Sequence, residues 1–381
     1  MRLAVISHTE HYIDGNGVVV GWGPTVREIN HLAAHFNKIY HVACLHKGTP
    51  PPSSLGYIGN NIKFVPIPPS GGNTVRAKLS VFRTMPAVLK TINDVISKVD
   101  YFQLRLPTGM GNYLLPWLMF KKPQARFWVK YAGNWTQKSP PLGYAFQRWI
   151  LKENFLKCKV TVNGRWPGQP AHIHSFENPC LTEEERKDGA LILKHKSYGG
   201  KLNFIFVGRV EEDKGVGRII DAFKEILPDD RVGRIRIIGD GLSRKSFERQ
   251  SEECGLDFSF MGFRSRTELN ELFKESHVLL LPSSSEGFPK VIAEGANYGC
   301  IPIVSKVSSI PQYIEDCNNG FLMDSIDSQG LSASLERLLS KSAGELSKIA
   351  HTVQSMARVF TYDYYYNKIE KEILRVTSRP L

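Results

Sequence analysis

No stretch of this sequence approaches the ~18 uninterrupted apolar residues that a membrane-spanning helix needs. The best candidate, residues 113–120, stops at Lys121-Lys122. Cysteine is sparse and scattered. Cys44, Cys158, Cys180, Cys254, Cys300 and Cys317 form no C-x-x-C pair and no compact cluster with histidine. That spacing argues against a zinc site or disulfide framework and reads as reduced, mostly buried thiols. The dinucleotide fingerprint is missing too. After Gly15-x-Gly17 the third glycine position is Val20, and no acid is well placed on the next strand, which disfavours a nicotinamide-dependent dehydrogenase. Acidic residues are scarce in one half only. Residues 1–180 hold 7 Asp and Glu against 21 Lys and Arg, a balance of +14, while the remainder holds 30 against 28. The asymmetry points to an anionic partner for the first half: nucleic acid, acidic lipid headgroups or a phosphorylated substrate. A solvated basic surface is the plainer alternative.

What is present describes a globular chain. Its 381 residues suit two domains, and 42% hydrophobic residues with 22 dispersed prolines argue against disorder. The opening Met-Arg-Leu-Ala-Val-Ile-Ser-His reads as a first strand, not a secretory signal, because polar residues return at once; a cytoplasmic chain is expected. Short β-rich runs alternate with longer amphipathic stretches. Residues 3–7, 41–45, 63–67, 101–106, 127–131 and 160–162 predict strands, and 25–35, 75–97 and 143–156 predict helices. Residues 178–200, with Asn-Pro, a Glu-rich patch and Gly-Gly, read as a junction. A second series follows at 202–207, 235–239, 258–261, 278–281 and 301–305, each strand leading into a helical stretch. Residues 362–375 predict a separate amphipathic helix. The expected fold class is α/β, with two Rossmann-like, doubly wound domains at 1–180 and 200–355, facing a deep interdomain cleft where strand-end loops converge.

Two segments of the second half carry chemistry. In the first, an apolar strand ends in Pro282-Ser-Ser-Ser-Glu286-Gly287-Phe288-Pro289-Lys290, and a helix begins near Pro289 with Glu294 inside it. The helix N-terminus offers free N–H groups and partial positive charge, which suits a phosphate. In the second, a strand runs through Gly208-Arg209 to Lys214-Gly215. A guanidinium and an ammonium on such a loop suit a diphosphate leaving group whose charge grows as its bond breaks. Taken singly, each acid or base is equally an ordinary helix-start acid or surface cation.

Together the two segments resemble the family 4 retaining glycosyltransferases of GT-B fold. The resemblance covers residues 202–337. It includes Gly208-Arg209 with Lys214-Gly215, Ile237-Ile-Gly-Asp-Gly241, Phe260-Met-Gly262-Phe263, the loop to Glu286-Gly-Phe-Pro, the Glu286-x7-Glu294 spacing, Gly299-Cys-Ile-Pro-Ile-Val304 and Asn319-Gly-Phe-Leu322. It implies that Arg209 and Lys214 grip the donor diphosphate and that Glu286 lies by the donor sugar. Backbone around Gly208 and from Gly287 through Phe288 and Pro289 to Lys290 would face sugar and phosphate. Glu294 would hold the ribose and Arg264 would lie along the base. It also implies a UDP- or GDP-sugar donor, retention of configuration, no metal and no cofactor. The acceptor would be a lipid-linked molecule or a saccharide, in cell-surface polysaccharide synthesis such as capsule, exopolysaccharide or O-antigen. The helix of 362–381 would cross back to the first domain.

The first half matches less closely. Asp14-Gly15-Asn16-Gly17 fits the glycine loop that faces the donor phosphate. Many family members place a histidine near the sugar, where this chain has Lys130-Tyr-Ala-Gly-Asn134-Trp135; Asn134 is the candidate replacement. Arg105 and Thr108, at a strand end, are candidates for the acceptor or for a structural turn. His8 and His11 read as local structure. Residues 117–122 and 149–152 mix apolar and basic side chains, as a peripheral contact with anionic membrane or as core packing. A nucleic-acid module would need aromatics interleaved with cations on one exposed face, and here they sit mostly within strands.

Overall fold

The computed structural model describes residues 1–72, 74–226, 229–253 and 255–374. Cys254 and residues 375–381, the end of the expected C-terminal helix, lie outside the described residues. The chain forms two compact units, Met1–Glu177 with the segment from Tyr366 onward, and Asn178–Tyr365.

The first unit contains β1 (Arg2–Ile13), β2 (Val19–Trp22), α1 (Gly23–Ala33), β3 (Lys38–Leu45), β4 (Ser54–Gly56), β5 (Ile62–Ile67), α2 (Val75–Ile96), β6 (Tyr101–Leu106), α3 (Gly111–Lys121), β7 (Arg126–Tyr131), α4 (Leu142–Lys152), β8 (Lys159–Asn163) and β9 (Ile173–Phe176). Strands β5-β3-β1-β6-β7-β8-β9 run parallel in that order. β1 outruns its neighbours. Its register with β3 breaks between Ile6 and Glu10, and its outer end pairs antiparallel with β2, which pairs with β4. These strands are four and three residues long, too short to show alternation, and the sequence pattern passes over them.

Where β1 leaves the sheet, a buried polar chain fills the gap. His11 Nδ1 faces the Thr9 carbonyl at 3.1 Å, so this nitrogen carries the proton and Nε2 accepts from the Tyr57 hydroxyl at 2.8 Å. The Tyr57 oxygen then accepts from His41 Nδ1, and His41 Nε2 accepts from Ser7 at 2.8 Å. One carbonyl thus sets the proton order of the whole chain. Burial keeps both imidazoles neutral. It pushes His11 down to about 4 and His41 well below its usual value.

The second unit contains α5 (Glu183–His195), β10 (Leu202–Val207), α6 (Val216–Ile226), β11 (Val232–Ile238), α7 (Arg244–Glu252), β12 (Phe258–Gly262), α8 (Arg266–Glu275), β13 (Val278–Leu281), α9 (Lys290–Asn297), β14 (Ile301–Ser305), β15 (Phe321–Met323), α10 (Ser328–Leu339) and α11 (Ala343–Met356), and α12 (Tyr362–Ile369) starts in it and ends in the first unit. Its strands are all parallel in the order β12-β11-β10-β13-β14-β15. That order reverses direction between β10 and β13, which places a switch point at their carboxyl ends.

One expectation is corrected. The stretch read as a junction contains α5, a full helix begun by a capping box. Glu185 N–H donates to Thr182 Oγ1 at 3.1 Å, and Thr182 N–H donates to Glu185 Oε2 at 2.9 Å. Its apolar stripe is thin because it docks by polar bonds. Arg186 donates to Asn297 Oδ1, and Asn297 Nδ2 donates to the Glu185 carbonyl, both at 2.7 Å. The C-terminal segment belongs to the first unit. Tyr366 stacks on His35, and Lys368 pairs with Glu177 at 2.9 Å.

The loops after β10 and β11 touch through glycine. Gly239 has φ +124°, and a Cβ there would lie 1.8 Å from the Gly208 carbonyl oxygen. Gly239→Ala should therefore cost about 3 kcal/mol or more in urea unfolding. Gly15→Ala, where a Cβ meets nothing within 4 Å, should stay within about 0.5 kcal/mol. Equal effects would refute this close approach. The buried histidines predict a pH dependence as well. Their pKa values are lowered on folding, so their contribution is complete above about pH 6.5 and is lost as pH falls toward 4. Urea midpoints that stay flat from pH 7 to 4.5 would contradict it.

Candidate functional site

The two sequence segments meet at the switch point of the second unit. The loop after β10 carries Gly208 and Arg209 and tightens into a 3₁₀ turn at Glu212–Lys214. Gly215 follows with φ +84°, and a Cβ there would lie 2.5 Å from the Pro282 carbonyl. α6 starts at the next residue. The loop after β13 lies directly against it. Ser284 donates both N–H and hydroxyl to the Asp213 carbonyl, each at 2.9 Å. Arg218 donates to the Pro282 carbonyl at 2.8 Å.

Charges follow the same seam. Lys214 Nζ lies 2.6 Å from Glu286 Oε1, with both side chains mostly buried. Arg209 stays exposed and is held by Glu211 at 2.6 Å and Asp213 at 3.8 Å. Two cations thus stand at the carboxyl end of the sheet beside the start of α6, whose free N–H groups add partial positive charge. Past Gly287, Phe288 is buried and stacks on Phe360 with centroids 4.5 Å apart. Ser309 donates to the Gly287 carbonyl at 3.2 Å. These contacts anchor the loop up to Pro289, which caps α9 at Lys290.

Beside this seam lies a cavity of about 270 Å³ lined by the Gly208–Arg209 loop, the Gly239–Asp240 turn, and Phe263 and Arg264 with Leu269. Phe263 is partly exposed at the end of β12. The cavity therefore offers an aromatic ring, two guanidinium groups and exposed backbone within one unit.

Glu294 has a partner that spacing alone does not reveal. Arg266 NH1 lies 2.6 Å from Glu294 Oε1, and Arg266 Nε lies 2.9 Å from Glu185 Oε1. Burial works against the charge on Arg266, but Glu294 first and then Glu185 outweigh it and raise its pKa. Arg266 thus joins α5, α8 and α9 and holds the Glu294 carboxylate in one orientation. The signal for Glu185 was the capping box, whereas nothing local marks Arg266.

The remaining sequence candidates lie in the first unit. Gly15 and Gly17 form an exposed hairpin tip whose Asp14 side chain accepts from Asn16 N–H and Val18 N–H at 2.9 Å. Turn chemistry accounts for Gly17, whose φ is +78°. Asn134 Oδ1 accepts from Thr136 N–H at 3.1 Å. Thr108 Oγ1 accepts from Gly111 N–H, and Gln147 donates to the Thr108 carbonyl. Arg105 donates to Gln103 at 2.7 Å and to Glu28 at 2.8 Å, and Lys130 bonds the same buried Glu28. Glu28 is the member of this cluster that sequence reading missed, because it sits on a polar-looking turn of α1.

Removing the cation from between two largely buried carboxylates leaves them facing each other. Arg266→Met should therefore destabilise the second unit by about 3–5 kcal/mol, and Arg266→Lys by less, in urea unfolding. An unchanged midpoint for Arg266→Met would contradict this assignment.

Residues 190–354 match the protein-family model described as Glycosyl transferases group 1. A curated relative, the putative colanic acid biosynthesis glycosyltransferase WcaL of Salmonella typhimurium, is 31% identical over 171 residues, 42% of this chain. The matched segment spans only 40% of that relative's length. Among solved structures, sucrose-phosphate synthase from Thermosynechococcus elongatus superposes with a TM-score of 0.72 at 15% identity, covering 97% of this chain and 98% of that one. HepE from Anabaena, in complex with UDP, gives 0.70 at 14% identity, covering 97% and 99%. These likenesses establish the fold as GT-B, two Rossmann-like parallel sheets in one chain. The second unit of the chain is thus similar to the domain that the glycosyl transferases group 1 model describes.

Proposed function

We propose that this protein is a retaining glycosyltransferase that moves a sugar, a hexose or a close relative, from a nucleotide diphosphate donor to a saccharide or lipid-linked acceptor. The observation that carries the reading is the Lys214–Glu286 pair, where the β10 and β13 loops join beside Arg209. The likeness of this unit to the glycosyl transferases group 1 model supports a nucleotide-sugar donor, and the UDP bound by HepE favours a UDP-sugar. The WcaL likeness favours a role in cell-surface polysaccharide synthesis.

The chemistry follows from the charges. In transfer, the bond from the anomeric carbon to the diphosphate breaks and a bond to the acceptor oxygen forms. The acceptor hydroxyl loses its proton and the nucleotide diphosphate leaves. Negative charge therefore builds on the leaving phosphate. Arg209 and Lys214 would stabilise it, exchanging their carboxylate partners for phosphate oxygens. The N–H groups starting α6 and α9, at Lys290, would add to this. Glu286, released from Lys214, would face the sugar, with Gly287, Phe288 and Pro289 shaping the loop around it. The base would lie in the cavity against Phe263 and Arg264, and Glu294, held by Arg266, would accept ribose hydroxyls. Protein cations would do the work that other transferases assign to a divalent ion, so chelators should leave transfer unchanged.

Lys214→Ala and Glu286→Gln should each cut transfer from a nucleotide-sugar by about 10²–10³-fold, with circular dichroism unchanged. Turnover near wild type in both variants would overturn the proposal.

A further inference from the structure

Helix α4 leaves its apolar side uncovered. Leu142, Phe146 and Trp149 are 90%, 38% and 52% exposed. Their spacing of four and three residues puts them on one face. Phe155, 44% exposed, extends the strip beyond the helix end, with its ring centroid 5.0 Å from that of Trp149. The opposite face is the one that packs. Gln147, Ile150 and Leu151 are buried, and Gln147 donates to Asn112 of α3 at 2.7 Å. The sequence expectation is thereby shifted by the fold. Leu118, Ile150 and Leu151 belong to the core, while Trp149 does not.

The stretch of chain that holds α4 is basic. Residues 111–160 hold nine Lys and Arg against a single acid, Glu153. Lys121, Lys122, Lys138, Lys152 and Lys157 are exposed. Arg148 is committed elsewhere, donating to the Trp135 and Gln137 carbonyls.

We infer that this face docks on an anionic lipid bilayer, with Leu142, Phe146, Trp149 and Phe155 entering the headgroup region and the lysines above meeting acidic headgroups. An amphipathic helix with aromatic and aliphatic residues on one side and cations around it fits that interface. Charge decides against a second copy of the chain, because a two-fold contact would bring two basic surrounds together. The inference stands on the first unit and needs neither donor nor acceptor, so it can fail while the transfer reading stands, and the reverse.

The test is co-sedimentation of the whole protein with vesicles of phosphatidylglycerol and phosphatidylcholine, against phosphatidylcholine alone. Wild type should bind the anionic vesicles and not the neutral ones. The variant Leu142→Ser with Phe146→Ser and Trp149→Ser should bind at least about tenfold more weakly while melting like wild type. Trp149→Phe should keep binding but lose most of the vesicle-induced blue shift of tryptophan emission. The inference is overturned by equal binding of a folded triple variant, or by indifference of wild type to anionic lipid. It is equally overturned if the variant instead abolishes binding to a DNA oligonucleotide or dissociates a dimer.

Discussion

The Asp213 carbonyl accepts two hydrogen bonds from Ser284, and one residue further on Lys214 meets Glu286 at 2.6 Å. This seam joins the loops that leave β10 and β13 at the point where the sheet order reverses. Without it, Arg209, Gly208 and the start of α6 would stand apart from Glu286, Gly287 and the start of α9. With it, these six features, which suit a phosphate or a sugar, converge on one edge. Gly215 and Gly239 make the convergence possible, since either side chain would strike a neighbouring carbonyl.

The second unit was largely legible in the sequence. β10, β13 and β14 begin and end where the apolar runs do, because each is buried on both faces and bounded by turn residues. The Gly-Arg and Glu-x7-Glu segments were visible for the same reason: strand, loop and helix follow in immediate succession. What escaped was contact made through space. Arg266 meets Glu294 across 28 positions of sequence and Glu185 across 81, and neither distance leaves a local pattern. Helix α5 was masked by its charge, although Thr182-x-x-Glu185 announced its start.

The first unit shows the opposite balance. Its parallel strands were readable, but the residues singled out there mostly have structural partners. Arg105 belongs to the buried cluster around Glu28, and Asn134, Thr108 and Asp14 shape turns. The excess of positive charge found in the sequence has a physical location instead. Part of it lies on exposed lysines of α4 and of the segments next to it in the chain, and α4 leaves large apolar side chains exposed. Composition could signal an anionic partner; only the helix orientation separates the side chains that pack from those that do not.

The central claim is that a nucleotide diphosphate binds at the β10–β13 edge of the second unit. Titration calorimetry with UDP and GDP tests it most directly. The account predicts one-to-one binding of one of them to the wild-type protein, weakened at least about tenfold by Arg209→Ala. The same affinity should persist in Arg234→Ala, whose guanidinium pairs with Asp257 at the opposite end of the strands. Absence of binding by either nucleotide, or equal affinity in both variants, would contradict it.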